Sequence, residues 1–342
     1  MTLGEAPQQT LTEDAMPKLR RSGPTWVLGI LGALLLSASP SLAQRSWPHK
    51  TVRVIVPIGA GTGTDVAARL FAERLAQRWK QPVIVENRTG ADSMVGIGAF
   101  TSTHDDHTLL FSFAAPISVF PFIQEKLPYD PARDIVPIAS ATDPFIALAA
   151  SAGLKIDSMA DLTARARAHP GTLLYNATAG ALPYLFSGFL KSANLDMLLV
   201  PYREYNLAAQ DLGEGRLHVM MTTMRDFLPG MQAGKVRLLA VTNKNRAPIA
   251  PEVPTAVEAG YPILEFQGLL GFFGPRDIPS ELQDRIAADV RAVAVEPALA
   301  DRLTTLGQIA RGSTPAGFSA AIEEQRAKMA AIVKLIGAKP PQ

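Results

Sequence analysis

Beyond residue 51 the chain alternates short apolar runs with longer stretches of helical period, and this alternation narrows its fold more than any other feature. The run at 52–58 reads as a strand, the pattern at 66–79 as a helix and the run at 82–86 as a second strand. The order recurs downstream: strands at 108–113, 173–175, 197–200, 218–222 and 236–241, helices at 159–168 and 185–192. A helix between two strands returns the chain to the end of the sheet it started from, so the pattern predicts helix-covered, mainly parallel sheets of the α/β class. The proline-rich stretch 248–262 reads as a loop with a short helix at 256–259. From Pro279 the pattern is helical to the end, with Leu282, Ile286 and Val290 on one face and Phe318, Ile322 and Met329 on a later one. Two apolar, strand-like connections, 140–155 and 265–274, are placed to carry the chain between two lobes. The expected division is 44–147 with 264–342 as lobe 1 and 148–263 as an inserted lobe 2.

Ahead of this pattern stand Lys18, Arg20 and Arg21, an apolar run at 26–36, and the small-residue segment ending Ser41-Leu42-Ala43. Basic, apolar and small-residue segments in that order make a secretory signal peptide, expected over 1–43 with cleavage after Ala43, and therefore a periplasmic protein. The apolar run is shorter than the ~20 residues a bilayer requires. Glu5, Glu13 and Asp14 cancel the leader's three bases, so the mature chain keeps the +2 of the whole sequence. So small a charge, with no basic block, argues against nucleic acid as a partner. The chain has no cysteine, which excludes disulfides, thiolate metal sites, thiol nucleophiles and a lipid-modified N-terminal Cys.

The sharpest local feature is Val54-Ile-Val-Pro-Ile-Gly59-Ala-Gly61-Thr-Gly63-Thr64-Asp65, a strand leading through a glycine-rich turn into a helix. Glycines let the backbone approach a ligand closely, and the first amides of the helix point toward the occupant, for which an anion is suited. Thr64 or Asp65 is expected to cap the helix. The competing reading is a tight βα turn and no more. A phosphate-binding Walker loop would need Gly-Lys-Ser/Thr, whereas Gly63 is followed by Thr64 and Asp65. A dinucleotide fingerprint is closer, with Glu86 at the end of the second strand, but Gly59, Gly61 and Gly63 have the wrong spacing. His104-Asp105-Asp106-His107 holds metal-ligand types, yet four adjacent turn residues do not converge easily on one ion; a solvated turn and no metal is the expectation. Ser187 lies within a helical pattern and no Gly-x-Ser-x-Gly elbow is present. Met220, Met221 and Met224 read as packing. No acid, base and nucleophile assemble, so no catalytic residue, enzyme activity or cofactor is expected.

A set of segments runs in one order along the mature chain: Trp47-Pro48; Val54-Ile-Val-Pro57 with Gly61 and Gly63-Thr64-Asp65; Gln81-Pro-Val-Ile-Val-Glu-Asn-Arg88; Lys126-Leu-Pro-Tyr-Asp-Pro131. Further on stand Val200-Pro-Tyr202, Asp211-Leu212 with Gly215, Ala233-Gly-Lys-Val-Arg237, Leu239-Ala-Val-Thr242, Val253-Pro-Thr255 and Glu258-Ala-Gly260. Through these residues the chain resembles a family, the periplasmic binding proteins of the tripartite tricarboxylate transporters, or Bug receptors. The resemblance implies a two-lobed type II periplasmic-binding-protein fold, each lobe a mainly parallel sheet flanked by helices. It also implies a monomeric receptor that closes around a small carboxylate and delivers it to a membrane permease of one large and one small subunit. By position, Thr62, Gly63, Thr64 and Asp65 inherit the carboxylate end of the site, and Ile58 and Gly61 beside them are further ligand-binding candidates. Phe113, Ala114, Ala177, Thr178, Tyr202 and Thr222 are expected to line the cleft.

The departures from the family pattern fall where the other end of the ligand should lie. The chain reads Phe111-Ser-Phe-Ala-Ala-Pro116 in place of small or hydroxyl residues, and Phe120 where asparagine is common. An aspartate usual after the later strand is replaced around Thr222, and a glycine-rich Pro-Gly-Ala-Gly-Gly-Asn reads Thr89-Gly-Ala-Asp-Ser-Met94. Arg203-Glu204 replaces a usual Lys-Gly after Tyr202. Lost polar partners and added aromatic area favour a ligand with an aromatic or longer apolar portion. Alternatives are that these positions lie outside the pocket, that the receptor has drifted and binds poorly, that the protein is a ligand sensor without transport, or that it is an exported dinucleotide-dependent oxidoreductase.

Overall fold

The computed structural model describes residues 47–338 except 179, 203 and 204; the signal peptide expected at 1–43 and the Arg203-Glu204 departure lie outside the described residues. The chain runs through β1 (Val52–Val56), α1 (Gly63–Trp79), β2 (Val83–Asn87), α2 (Met94–Thr101) and β3 (Thr108–Phe113). Two single-turn helices follow, α3 (Ala115–Ser118) and α4 (Phe120–Ile123), and then β4 (Ile135–Pro144). The next stretch holds β5 (Ile146–Ser151), α5 (Met159–Ala168), β6 (Leu174–Ala177), α6 (Leu182–Ala193), β7 (Leu198–Leu199), α7 (Tyr205–Gly213), β8 (Val219–Thr223), α8 (Met224–Gln232) and β9 (Val236–Val241). The last holds β10 (Leu270–Pro275), α9 (Ser280–Ala294), α10 (Pro297–Thr305), β11 (Gln308–Ala310) and α11 (Pro315–Ile336).

The strands form two sheets, ordered β11-β4-β10-β3-β1-β2 and β7-β6-β8-β5-β9. Helices flank both, as the two-lobed fold requires. Strand β1, Val-Arg-Val-Ile-Val, shows why the sequence builds this layer: Val52, Val54 and Val56 face one core and Ile55 the other. Branched side chains pack well on both faces of such a central strand. On the first face Phe111 and Phe272 meet edge-on with ring centroids 4.8 Å apart, against Phe71 of α1.

Within that fold class the sheets differ from expectation in one respect: they are mixed, with β1, β2 and β3 parallel and β6, β7 and β8 parallel, but β4, β5, β9, β10 and β11 paired antiparallel. The physical reason is the crossover. Only Phe145 separates β4 in one sheet from β5 in the other, so the chain passes straight between sheets and pairs against neighbours running the other way. The return segment is tied to this crossing by Asn243, whose Oδ1 accepts from the Ile146 amide at 3.1 Å and whose Nδ2 donates to the Pro144 carbonyl at 3.1 Å.

Two local expectations are corrected. The helical stretch after Pro279 is interrupted by β11, which pairs with Pro144, Asp143 and Thr142 of β4. Residues 256–259 form turns, and the helical turn comes later, as the 3-10 segment Pro262–Leu264. Helix α11 packs on β4 and α3 of the first sheet and on α6 of the second, with Phe318, Ile322 and Met329 buried as their spacing predicts. Among the described residues no helix is long and apolar enough to cross a membrane.

Candidate functional site

The turn after β1 is held open by its own side chains. Thr62 Oγ1 donates to the Gly59 carbonyl at 2.8 Å and accepts from the Asp65 amide at 3.4 Å, which makes Thr62 the cap of α1. Asp65 is buried, and its Oδ2 accepts from the Gly61 amide at 2.8 Å. Arg69 Nε donates to Asp65 at 3.1 Å, and Asn87 Nδ2 bridges Asp65 Oδ1 at 2.9 Å and the Ile58 carbonyl at 3.0 Å. Burial alone would raise the Asp65 carboxyl, but the hydrogen bonds from Arg69, Gly61 and Asn87 outweigh it and hold the group below the usual carboxylate range. Asp65 and Asn87 are therefore the scaffold of the loop. The amides of Gly63 and Thr64 belong to the first turn of α1, where no helical carbonyl reaches them.

Gly61 has φ +78°, a conformation that favours glycine. At Gly63 the demand is space: a Cβ there would lie 3.1 Å from Gln308 Nε2 and 3.4 Å from Arg225 Cδ. Gln308 donates to the Gly63 carbonyl at 3.0 Å and accepts from Thr142 Oγ1 at 2.7 Å, and Arg225 Nη1 donates to the Gly61 carbonyl at 2.8 Å. Segments distant in sequence thus close around the turn.

A cavity of about 650 Å³ opens beside these amides, lined from both sheets. Its apolar wall includes Phe113, Val119, Phe120, Leu182, Phe266 and Leu269. Its second-sheet rim carries Thr178, Thr222, Thr223, Arg225 and Asp226. Residues 89–93 complete it from the first sheet, with Gly90 at φ +131°, Ala91 at +45°, Asp92 at +49° and Ser93 at +77°. Three consecutive non-glycine residues thus keep left-handed backbone, two of them, Asp92 and Ser93, where the resemblance expects glycines; the cost is about 1–2 kcal/mol for a residue such as Ala91 or Ser93 and less for an aspartate.

Of the residues singled out by sequence, Ile58, Thr62, Gly63, Thr64, Phe113, Ala114, Thr178 and Thr222 line the cavity. Gly61 adjoins it, its carbonyl taken by Arg225. Asp65 is turned into the loop, and Ala177, the last residue of β6, is buried in the core. Tyr202 lies elsewhere: its hydroxyl donates to Asp211 Oδ2 at 2.7 Å. Burial, and then the Asp211 carboxylate, push the Tyr202 hydroxyl up to about 12, against the opposing charge of Arg216. Sequence reasoning did not find Arg225, Asp226 or Gln308. The acid three residues after Thr223, at the start of a helical pattern, is the one signal that could have drawn attention to Asp226.

The expected solvated turn at 104–107 is half right. His104 is exposed, but His107 is buried, with Nδ1 2.6 Å from Asp106 Oδ1 and Nε2 accepting from the His49 amide at 3.2 Å. Donor atoms of Asp105, Asp106 and His107 lie within 4.8 Å of one another, yet both His107 nitrogens already have partners, so the cluster ties a turn to the segment before β1.

The family described as "Tripartite tricarboxylate transporter family receptor" matches residues 67–338. A UPF0065 protein from the tcbD-tcbE intergenic region of Pseudomonas sp. (strain P51) is 31% identical over 305 residues, covering 87% of this chain and 90% of its own length. Protein BugT of Bordetella pertussis (strain Tohama I) is 28% identical over 317 residues, covering 92% and 97%. Among solved structures, an R. palustris protein with adipate superposes with a TM-score of 0.79 at 27% identity, covering 86% of this chain and all (100%) of that one.

Proposed function

This chain belongs to the tripartite tricarboxylate transporter receptor family, and from that premise we propose that it is a periplasmic solute-binding receptor for a small carboxylate with an aromatic or apolar body. One observation carries the reading. The unserved amides at the front of α1 and the wall of Phe113, Phe120, Phe266 and Leu269 border the same cavity, which draws on both sheets. The amides and the helix dipole favour negative charge, and the wall favours apolar surface withdrawn from water. The adipate carried by the similar R. palustris protein, two carboxylates on a hydrocarbon chain, agrees with that chemistry.

The chain changes sheet at Phe145 and returns between β9 and β10, which supports lobe 1 as 44–147 with 264–342 and lobe 2 as 148–263. A ligand that touches both lobes stabilises the closed arrangement by the difference between its contacts in the closed and open states. The closed monomer then delivers its load to a membrane permease of one large and one small subunit, after export directed by residues 1–43.

The test is a thermal-shift series on the mature protein with citrate, adipate, benzoate and phenylacetate. The reading expects a rise in melting temperature with the apolar-bodied acids that exceeds the rise with citrate. Tight citrate binding with no response to the other three would overturn the apolar-ligand part; no response to any carboxylate would overturn the receptor reading of the cavity.

A further inference from the structure

The charged and hydroxyl side chains that the second sheet brings to the cavity point apart: Arg225 reaches across to the turn before α1, and the threonines turn to Asp226. On the α1 side stand the amides of Gly63 and Thr64, with Arg225 turned toward them through its bond to the Gly61 carbonyl. On the β8 side the hydroxyls all point one way. Thr222 Oγ1 donates to Asp226 Oδ2 at 2.7 Å, Thr223 Oγ1 donates to the same oxygen at 2.9 Å, and Thr178 Oγ1 donates to Thr222 Oγ1 at 3.3 Å. A hydroxyl has one proton. Those three protons are committed to one another and to Asp226, and the wall is left with acceptor capacity, ending in the Asp226 carboxylate.

A ligand group lying against Thr178, Thr222 and Asp226 therefore has to bring a proton. A second carboxylate there would meet another carboxyl group and no hydroxyl donor, whereas a hydroxyl or an ammonium would meet the acceptor oxygens of Asp226. We propose that Asp226 determines specificity: the cavity takes a monocarboxylate whose apolar body carries a hydroxyl or ammonium donor, in preference to the unsubstituted acid or to a dicarboxylate. This inference rests on the carboxylate-receptor reading and narrows its ligand class.

Calorimetric titration of the mature protein with phenylacetate, its far-end hydroxyl analogue 4-hydroxyphenylacetate and the dicarboxylate 4-carboxyphenylacetate tests it. Wild type should bind 4-hydroxyphenylacetate at least about tenfold more tightly than phenylacetate, as a hydrogen bond to a half-buried carboxylate allows, and 4-carboxyphenylacetate more weakly than either. In Asp226→Asn, which keeps an oxygen for the threonine hydroxyls, and in Asp226→Ala, the ratio of 4-hydroxyphenylacetate to phenylacetate affinity should fall to within about threefold. A residue that only caps α8 would lower the melting temperature and leave that ratio alone, so an unchanged ratio in both variants overturns the proposal. Equal binding of all three acids by wild type also overturns it while leaving the receptor reading intact. Failure of all three to bind removes the carboxylate reading of the cavity, and this inference with it.

Discussion

Arg225, at the start of α8, donates Nη1 to the carbonyl of Gly61 at 2.8 Å, so a side chain that follows the second sheet's β8 is fastened to the backbone turn that follows the first sheet's β1. The two residues are 164 positions apart, and the contact lies at the edge of the cavity. It therefore favours the arrangement in which the two sides are together.

Arg225→Ala removes a charged donor from a water-accessible place, and the loss should be about 1 kcal/mol, or roughly fivefold in Kd for phenylacetate. Small-angle scattering of the unliganded variant should give a larger radius of gyration than wild type. An unchanged radius together with unchanged affinity would show that the contact does not hold the two sides together.

Asp65 makes stability depend on pH in a definable direction. Its carboxyl is held below its ordinary range in the folded chain, so its contribution is complete above the unfolded value and is lost as pH falls through the lower, folded one. Asp65→Asn should therefore be less stable than wild type at pH 7, by about 1–3 kcal/mol for a buried group that loses charge-assisted bonds. The gap should close as urea denaturation is repeated below pH 4. A gap constant from pH 7 to pH 3 would contradict this account of the loop.

Much of this fold is legible in the residues, because the interactions that shape it are local. The buried alternation of β1, the 17-residue amphipathic α1 and the strand at 236–241 each announce themselves within their own span. Strand β11 does not: it has three residues and exists because Gln308, Ile309 and Ala310 find the edge of β4. The site divides the same way. The glycine turn is written into 59–65, but Gln308 comes to Gly63 from 245 residues away, and no periodicity reports such a meeting. The Phe-rich segment from 111 to 120 was readable as apolar, and Phe113 and Phe120 do line the cavity, while Phe111 packs into the core behind it.

The loop 90–93 offers a test of stored strain. Ala91 at φ +45° carries the left-handed penalty of about 1–2 kcal/mol for an alanine, while glycine at that position adds about 0.5–1 kcal/mol of unfolded-state entropy. Ala91→Gly should therefore stabilise the protein by about 0.5–1 kcal/mol, seen as a rise of about 1–3 °C in melting temperature. A fall in melting temperature would mean that the Ala91 methyl makes packing worth more than the backbone relief.

Asn243 is where the two crossings between the sheets meet, and its amide is used at both ends. Oδ1 takes the Ile146 amide and Nδ2 serves the Pro144 carbonyl, each at 3.1 Å, with the side chain 3% exposed. Asn243→Asp keeps the shape and the acceptor but replaces the donor with an oxygen, so that a buried carboxylate would face a carbonyl. The expected cost at pH 7 is about 2–4 kcal/mol, one unsatisfied buried carbonyl together with an unfavourable burial of charge. Because the strain sits at the ionised oxygen, the aspartate should titrate above its ordinary value in the folded state. Protonation then restores the donor, and part of the lost stability should return as the pH is lowered from 7 toward 4. Urea denaturation at both pH values checks this, with Asn243→Leu as the control: it lacks both polar atoms, so its deficit relative to wild type should not shrink on acidification. If the Asn243→Asp deficit is equally indifferent to pH, the Pro144 carbonyl is being served by some other donor, and Asn243 is not what fastens the outgoing crossing to the returning one.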